Sequence, residues 1–139
     1  MTVFYDEINI KTKGEVDIVD ITDEIQRKVE KSGLKQGIVC VFVKGSTGAL
    51  TSTEYEPGLK KDIPRILERI APRGEYYNHH ETWHDDNGHS HVRASLIGPS
   101  ITIPFKNREI IHGTWQQFVF IELDTRPRNR NLIVQIIGE

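Results

Sequence analysis

The 139-residue chain has a single cysteine, Cys40, and no apolar run long enough to suggest a membrane span. One cysteine excludes an internal disulfide, and a bilayer-spanning helix needs about 20 consecutive apolar residues. The first seven residues also lack the basic start and long apolar stretch of a secretory signal peptide. Together these absences predict a cytoplasmic protein without a membrane partner.

Neither sign of charge is in large excess. The chain carries 18 Lys and Arg against 20 Asp and Glu, which gives a net charge of −2. No basic surplus is present to attract nucleic acid or an anionic membrane, so we expect neither as a partner. The length suits one hydrophobic core, and we predict a single domain over residues 1–139.

Most of the chain has the β-branched and aromatic content of short strands, interrupted by two segments of helical periodicity. Ile21, Ile25 and Val29 repeat every four residues and predict a helix over 22–32. A second amphipathic pattern predicts a helix over 57–71, with Pro64 inside it. Extended segments are predicted at 3–11, 15–21, 37–43, 49–55, 92–98, 100–105, 109–113, 115–123 and 132–137. The continuous apolar run 37–43 favours a strand covered on both faces.

These elements predict an α+β fold. We expect a single compact domain in which two helices pack on a large, mostly antiparallel, curled sheet of about eight strands.

Five of the six histidines fall between His79 and His91. Three carboxylates and two asparagines accompany them in the segment 78–91, and such side chains bind metals and transfer protons. This density favours a functional site over a solvated loop with idle histidines, which is the alternative.

Two metal geometries are open for this segment. His80 and His84 form an H-E-x-x-H match, which on a helix would place two zinc ligands on one face. The helix-breaking residues directly after it speak against this geometry. In the second geometry, His89 and His91 begin a strand and point the same way, and His80 completes the ligand set from a loop. Glu54, at the end of another predicted strand, would add an oxygen or act as a base.

Two further stretches are candidates for binding an anion. Ser46 and Thr47 lie between glycines and can donate hydrogen bonds, or they form an ordinary turn. Three arginines alternate with other residues at 126, 128 and 130, either as a phosphate clamp or as a solvated loop. Gln116 follows Trp115, which is either a core residue or part of the site.

Three stretches of the chain together resemble the YjbQ-like family, and they are 45–58, 83–100 and 113–116. The resemblance is in particular to the branch of the family whose first motif begins with Gly-Ser-Thr. Many relatives carry His-Thr-Thr where this chain has Gly45-Ser46-Thr47. The resemblance implies an α+β fold, assembly as a trimer, and a weak thiamine-phosphate synthase activity that joins a pyrimidine diphosphate to a thiazole phosphate. It also implies a site built around Glu54, His80, His91 and Gln116, with His89 shared by many relatives.

The residues favour a metal-dependent enzyme that acts on a phosphorylated small molecule, and the resemblance implies a homotrimer, whose subunits could share the site. The expected metal is zinc, or Mg²⁺ with a diphosphate substrate. The alternative is a non-catalytic trimeric module that binds metal or ligand. The candidate residues are His80, His89 and His91 for the metal, Glu54 or Asp86 as acid or base, Asn87 and Gln116 to orient the substrate, and Ser46, Thr47, Arg128 and Arg130 to bind it.

Overall fold

The computed structural model describes all residues from Met1 to Glu139. It contains eight strands and four helices, and the predicted α+β class is confirmed. The strands are β1 (Thr2–Lys11), β2 (Asp17–Asp20), β3 (Gln36–Val43), β4 (Gly48–Glu54), β5 (Ser100–Lys106), β6 (Glu109–Ile110), β7 (Gln116–Glu122) and β8 (Asn129–Gly138). The helices are α1 (Thr22–Ser32), α2 (Pro57–Ile70), α3 (His79–Trp83) and α4 (Gly88–Ile97). None of the four helices is long and apolar enough to cross a bilayer.

The strands form two antiparallel sheets. The larger sheet has the order β1-β8-β3-β5-β6, and the smaller sheet has the order β2-β7-β4. β8 lies between β1 and β3 and pairs with both along most of its length. In the smaller sheet, the start of β4 pairs with the end of β7, since Gly48 is opposite Glu122. Loops that enter β4 and leave β7 therefore meet at one end of this sheet.

The smaller sheet is the middle layer of the domain. Along β7, Phe118 and Phe120 belong to the core shared with the larger sheet and α1, whereas Val119 and Ile121 belong to a second core with α2 and α4. This alternation follows from the two-residue period of a strand. Both faces of β7 are buried, which explains its nearly continuous apolar sequence.

The outer face of β3 is not covered, so the prediction of a strand buried on both sides is wrong. Val39, Val41 and Val43 point into the core, but Ile38 and Phe42 on the other face are 46% and 40% exposed. Apolar content alone does not distinguish these cases, because exposed and buried faces can both carry β-branched residues.

The two predicted helices are present with nearly the expected bounds. α1 ends at Gly33, whose φ of +72° is the left-handed conformation that a glycine adopts easily. α2 begins after Glu56, whose carboxylate accepts hydrogen bonds from the main-chain N–H groups of Gly58 and Leu59 at 2.8 and 2.6 Å. The helix continues through Pro64.

The strand predicted at 92–98 is wrong, since this segment belongs to α4. The buried side of α4 includes His89, Ser90, Arg93 and Ala94, while Val92 and Leu96 on the other side are exposed. Polar residues thus occupy the inner face of α4. The sequence therefore lacks the regular spacing of apolar residues by which an amphipathic helix is recognised. The segment 79–83 also forms a helix, α3, where a loop was expected.

Candidate functional site

The main candidate site is a cavity of about 460 Å³ at the end of the smaller sheet where β4 begins and β7 ends. None of its lining residues is hydrophobic. We call it the polar cavity. Its lining residues are Gly45, Ser46, Thr47, Asp85, Asn87, His91, Asp124, Thr125, Arg126, Arg128 and Arg130.

The polar cavity unites four predicted binding residues from distant parts of the chain. Ser46 and Thr47 enter it from the turn before β4, and Arg128 and Arg130 enter from the start of β8. Asn87, at the N-terminus of α4, also lines the cavity.

A buried ion pair forms the floor of the polar cavity. Glu122 and Arg130 are 0% and 4% exposed, and Nε of Arg130 donates to Oε1 of Glu122 at 2.7 Å. A second guanidinium nitrogen of Arg130 donates to Oε2 of Glu122 and to the Thr47 hydroxyl. The Glu122 carboxylate also accepts from the Thr12 hydroxyl and the Asp124 main-chain N–H, at 2.8 and 3.0 Å. Every oxygen of this carboxylate is therefore hydrogen-bonded, as a buried charge requires.

Asp124 binds a second arginine beside this floor. Its carboxylate accepts from Arg128 at 2.5 Å, from the Thr47 hydroxyl at 3.1 Å and from the Thr125 main-chain N–H at 2.8 Å. Burial alone would raise the pKa of Asp124. The hydrogen bonds from Thr125 and Thr47 and the charge of Arg128 outweigh this effect and hold the pKa below its ordinary value.

Acid should therefore weaken the fold through Asp124. A carboxyl group whose pKa is lower in the folded chain stabilises it above the ordinary pKa of about 3.9, and this contribution disappears as the pH falls through the lower folded value. We expect Asp124→Asn to be less stable than wild type at about pH 5, with a smaller difference at about pH 3. Urea unfolding at both pH values measures this, and an equal difference at both would contradict it.

His91 is the titratable side chain best placed to exchange a proton with a ligand in the polar cavity. Its ring centroid lies 4.4 Å from that of His79, whose Nε2 is 3.1 Å from a carboxylate oxygen of Asp85. Burial and then the charge of His79 lower the pKa of His91 below its ordinary value. The imidazole is therefore neutral at neutral pH and can accept a proton.

The predicted pairing of His89 with His91 is wrong. Residues two apart on a helix are separated by about 200°, whereas on a strand they would share a face. His91 consequently lines the polar cavity, and His89 lies in a second pocket of about 110 Å³ on the other side of the segment 85–88.

The second pocket also contains His80, whose Nδ1 is buried and has no hydrogen-bond partner. His89 is 1% exposed, and its Nε2 lies 2.7 Å from a carboxylate oxygen of Glu15. The other oxygen of Glu15 pairs with Arg73 at 2.6 Å. Asp86, a predicted acid or base, lines this pocket rather than the polar cavity.

The three predicted metal ligands are therefore divided between two pockets. His80 and His89 share the smaller pocket, whereas His91 faces the polar cavity. No group of three or more His, Cys, Asp or Glu residues is arranged to hold a metal ion. The H-E-x-x-H match does lie on a helix, but α3 has only one turn, and His84 ends it in the left-handed conformation with φ of 55°.

Glu54 and Gln116 lie far from the polar cavity within the chain, and neither lines the second pocket. They are paired at the opposite end of β4 and β7, six residues from Gly48, which corresponds to about 20 Å along a strand. Gln116 accepts from the Gly113 main-chain N–H and donates to Ser52. Trp115 beside it is 73% exposed, so its core interpretation is wrong.

The sequence reading missed Glu15, Glu122 and Asp124, the carboxylates that orient His89, Arg130 and Arg128. A signal for Glu122 was present. It continues the inward-facing series of Phe118 and Phe120, and this alternation places a charged residue at a buried position, which requires a partner.

Comparison with known proteins shows the family of the chain. A family model described as "UPF0047 protein YjbQ-like" matches residues 6–139. The chain belongs to this family. It is 39% identical over 139 residues to a UPF0047 protein of Methanothermobacter thermautotrophicus, covering 100% of this chain and 95% of the relative. A UPF0047 protein of Archaeoglobus fulgidus is 37% identical over 131 residues, covering 94% of this chain and 99% of the relative.

Solved structures of the YjbQ-like family share the fold. A crystal structure of a YbjQ-like protein of unknown function from Sulfolobus solfataricus has a TM-score of 0.93 and 36% sequence identity, with 99% of each chain covered. A YjbQ/UPF0047 family protein from Clostridium acetobutylicum has a TM-score of 0.87 and 34% identity, covering 95% of this chain and 99% of that one.

Proposed function

We propose that the protein is an enzyme that binds a phosphorylated small molecule in the polar cavity and uses His91 as its general base or acid. The observation that carries this proposal is the convergence of three arginines, a Gly-Ser-Thr turn and a neutral histidine at one cavity. Guanidinium groups match the geometry of phosphate oxygens, and a neutral imidazole within reach can accept a proton from a substrate hydroxyl or water.

Asn87 supports this role from the N-terminus of α4. Its side chain lies 3.1 Å from Nε2 of His79, whose ring packs against His91. An amide in this position can hold both the histidine pair and a substrate oxygen in place. More specifically, we propose the weak thiamine-phosphate synthase activity that the resemblance to the YjbQ-like family implies. This activity is assayed by the release of pyrophosphate.

In a homotrimer, a neighbouring subunit could bring its Glu54 and Gln116 to the polar cavity, which they do not reach within one chain. Glu54 and Gln116 lie about 20 Å from the polar cavity along β4 and β7. Both are exposed, so a neighbouring subunit can place its own copies against the cavity. A shared site of this kind would lie where ligand pockets often occur, at the boundary between subunits.

A divalent metal remains a prediction of the histidine segment. The divided positions of His80, His89 and His91 do not fit a three-histidine zinc site within one chain. The proton transfer proposed for His91 rests on its own imidazole and on the neighbouring pair of His79 and Asp85. Elemental analysis of protein purified without a histidine tag tests the prediction, and absence of metal with unchanged stability after chelation would contradict it.

We expect His91→Ala to lower turnover by about 10²–10⁴-fold, since it removes the general base without disturbing the core. The thermal unfolding midpoint should be nearly unchanged, because His91 is only half-buried. His84→Ala is the matched control, because His84 is exposed and lies outside both pockets.

Ligand binding and turnover separate the enzyme from the alternative module. A His91→Ala variant that binds a phosphate ester normally but has lost pyrophosphate release supports the enzyme. A wild-type protein that binds the ester but releases no pyrophosphate from thiamine precursors would reject the thiamine activity. Equal turnover of His91→Ala and wild type would reject the role of His91.

A further inference from the structure

The groups that line the polar cavity differ in whether they are free to meet a ligand. Arg130 is bound by Glu122, Arg128 by Asp124, and the Thr47 hydroxyl donates to Asp124 while it accepts from Arg130. These three predicted binding residues belong to the floor of the cavity. Because each is already paired, none is the first contact for an incoming anion.

Arg126 is the free cation of the polar cavity. It lines the cavity, its side chain is exposed, and it makes no ion pair with any carboxylate of the chain. Glu122 and Asp124 neutralise the other two arginines. Asp85 is the remaining carboxylate of the lining, and one of its oxygens lies 3.1 Å from Nε2 of His79. Arg126 is therefore the one arginine of the cavity without a carboxylate partner, and a single guanidinium suits a single phosphoryl group better than a chain of phosphates.

The remaining wall determines what kind of molecule can carry that phosphoryl group. Ligand pockets are usually lined mainly by hydrophobic and aromatic side chains, but the polar cavity has none. Ser46, Thr125 and Asn87 present hydroxyl and amide groups, and Asp85 presents a carboxylate. At about 460 Å³ the cavity has room for an organic body beyond the phosphate. An aromatic body would lose its hydration there without gaining apolar contacts, whereas a body rich in hydroxyl groups would exchange water for protein hydrogen bonds.

We propose that the polar cavity takes the monophosphate ester of a polyhydroxylated compound, a sugar or polyol phosphate, with Arg126 binding the phosphoryl group and Asp85 accepting hydrogen bonds from hydroxyls of the body. This assignment rests on the proposed phosphate-binding function and specifies its substrate class. It competes with the thiamine-phosphate synthase activity, whose aromatic substrates and diphosphate group the polar wall does not favour. Arg128 and Arg130 act as positioning residues that shape the floor.

Calorimetric titration of the full chain with three probes tests the substrate class. The probes are ribose 5-phosphate, phenyl phosphate and inorganic phosphate. We expect ribose 5-phosphate to bind at least about tenfold more tightly than either of the others, because only it adds hydroxyl groups that can pair with the polar wall. Phenyl phosphate carries the same phosphate on an aromatic body and is the matched comparison.

Two variants test which residue binds the phosphoryl group of the ligand and which binds its hydroxyl groups. Arg126→Gln should weaken all three probes by about tenfold or more, because it removes the free cation. Asp85→Asn should weaken ribose 5-phosphate alone, since inorganic phosphate offers no hydroxyl body. Arg69→Gln, the same change at an exposed arginine on α2 outside the cavity, should leave all three affinities unchanged.

The outcomes distinguish this inference from the function on which it rests. Phenyl phosphate binding as tightly as ribose 5-phosphate would overturn the substrate class while phosphate binding stands. If no probe binds, the proposed function fails as well. Unchanged affinities in Arg126→Gln, with its unfolding midpoint equal to wild type, would overturn the role of Arg126.

Discussion

Replacing Glu122 by alanine should lower the free energy of unfolding by about 3–5 kcal/mol, the range typical of a buried ion pair that loses one partner. The variant leaves the guanidinium of Arg130 buried without its counter-charge, since both residues are almost inaccessible to solvent. It also removes the acceptor for the Thr12 hydroxyl and for the Asp124 main-chain N–H. The cost is large because those donors cannot reach water instead.

Urea unfolding at one fixed protein concentration measures the effect, since assembly would make the apparent stability depend on concentration. Glu24→Ala is the matched control. Glu24 pairs with Arg27 on the surface of α1, and exposed pairs contribute at most about 1 kcal/mol. A loss for Glu122→Ala as small as that of Glu24→Ala would show that the buried pair does not stabilise the fold.

The polar cavity should lose its shape in the same variant. Arg130 binds both Glu122 and Thr47, and Thr47 binds Asp124, so these contacts form one connected network. Stability and ligand binding therefore depend on the same side chains at this end of the smaller sheet.

Gly37→Ala should destabilise the protein by at least about 3 kcal/mol or prevent it from folding into a soluble form. A Cβ atom at this position would lie 2.0 Å from the carbonyl oxygen of Ile137 and 2.7 Å from Cα of Gly138. These atoms belong to the backbone of β8 and cannot move aside like a flexible side chain. Gly37 also has a φ of +156°, which other residues rarely adopt.

The strain falls at one end of two inner strands of the larger sheet, because Gly37 near the start of β3 lies opposite Gly138 at the end of β8. Gly138 approaches β3 equally closely, since a Cβ there would lie 2.2 Å from the carbonyl oxygen of Gln36. Gly74→Ala is the matched control, because a Cβ at Gly74 meets no atom within 4 Å. We expect that variant to unfold within about 0.5 kcal/mol of wild type. A soluble Gly37→Ala protein of wild-type stability would contradict the prediction.

Local patterns were enough to predict much of the fold. The four-residue repeat of Ile21, Ile25 and Val29 located α1, because a helix that buries one face must repeat its apolar residues at that spacing. Strands at 3–11, 100–105 and 132–137 were found from their β-branched content, and they agree with β1, β5 and β8 within a few residues.

α4 shows where local patterns fail. Its inner face carries His89, Ser90 and Arg93, of which His89 pairs with Glu15 and Arg93 with Glu68. A helix stabilised in this way has no apolar stripe, so the sequence resembled a strand. The same error led to the wrong prediction that His89 and His91 are paired metal ligands, because a strand would have put both side chains on one face.

The sequence by itself determined the α+β class, the two amphipathic helices and the residue types available for chemistry: clustered histidines, a Gly-Ser-Thr turn and three alternating arginines. Only the tertiary structure decided which of them meet. Glu122 binds Thr12, which is 110 positions away, and Asp124 binds Thr47, which is 77 positions away. Contacts over such separations depend on how the two sheets pack, and no local spacing encodes them. The helical geometry of α4 turned His91 away from His89, and the packing of the sheets left Arg126 as the arginine without a carboxylate partner.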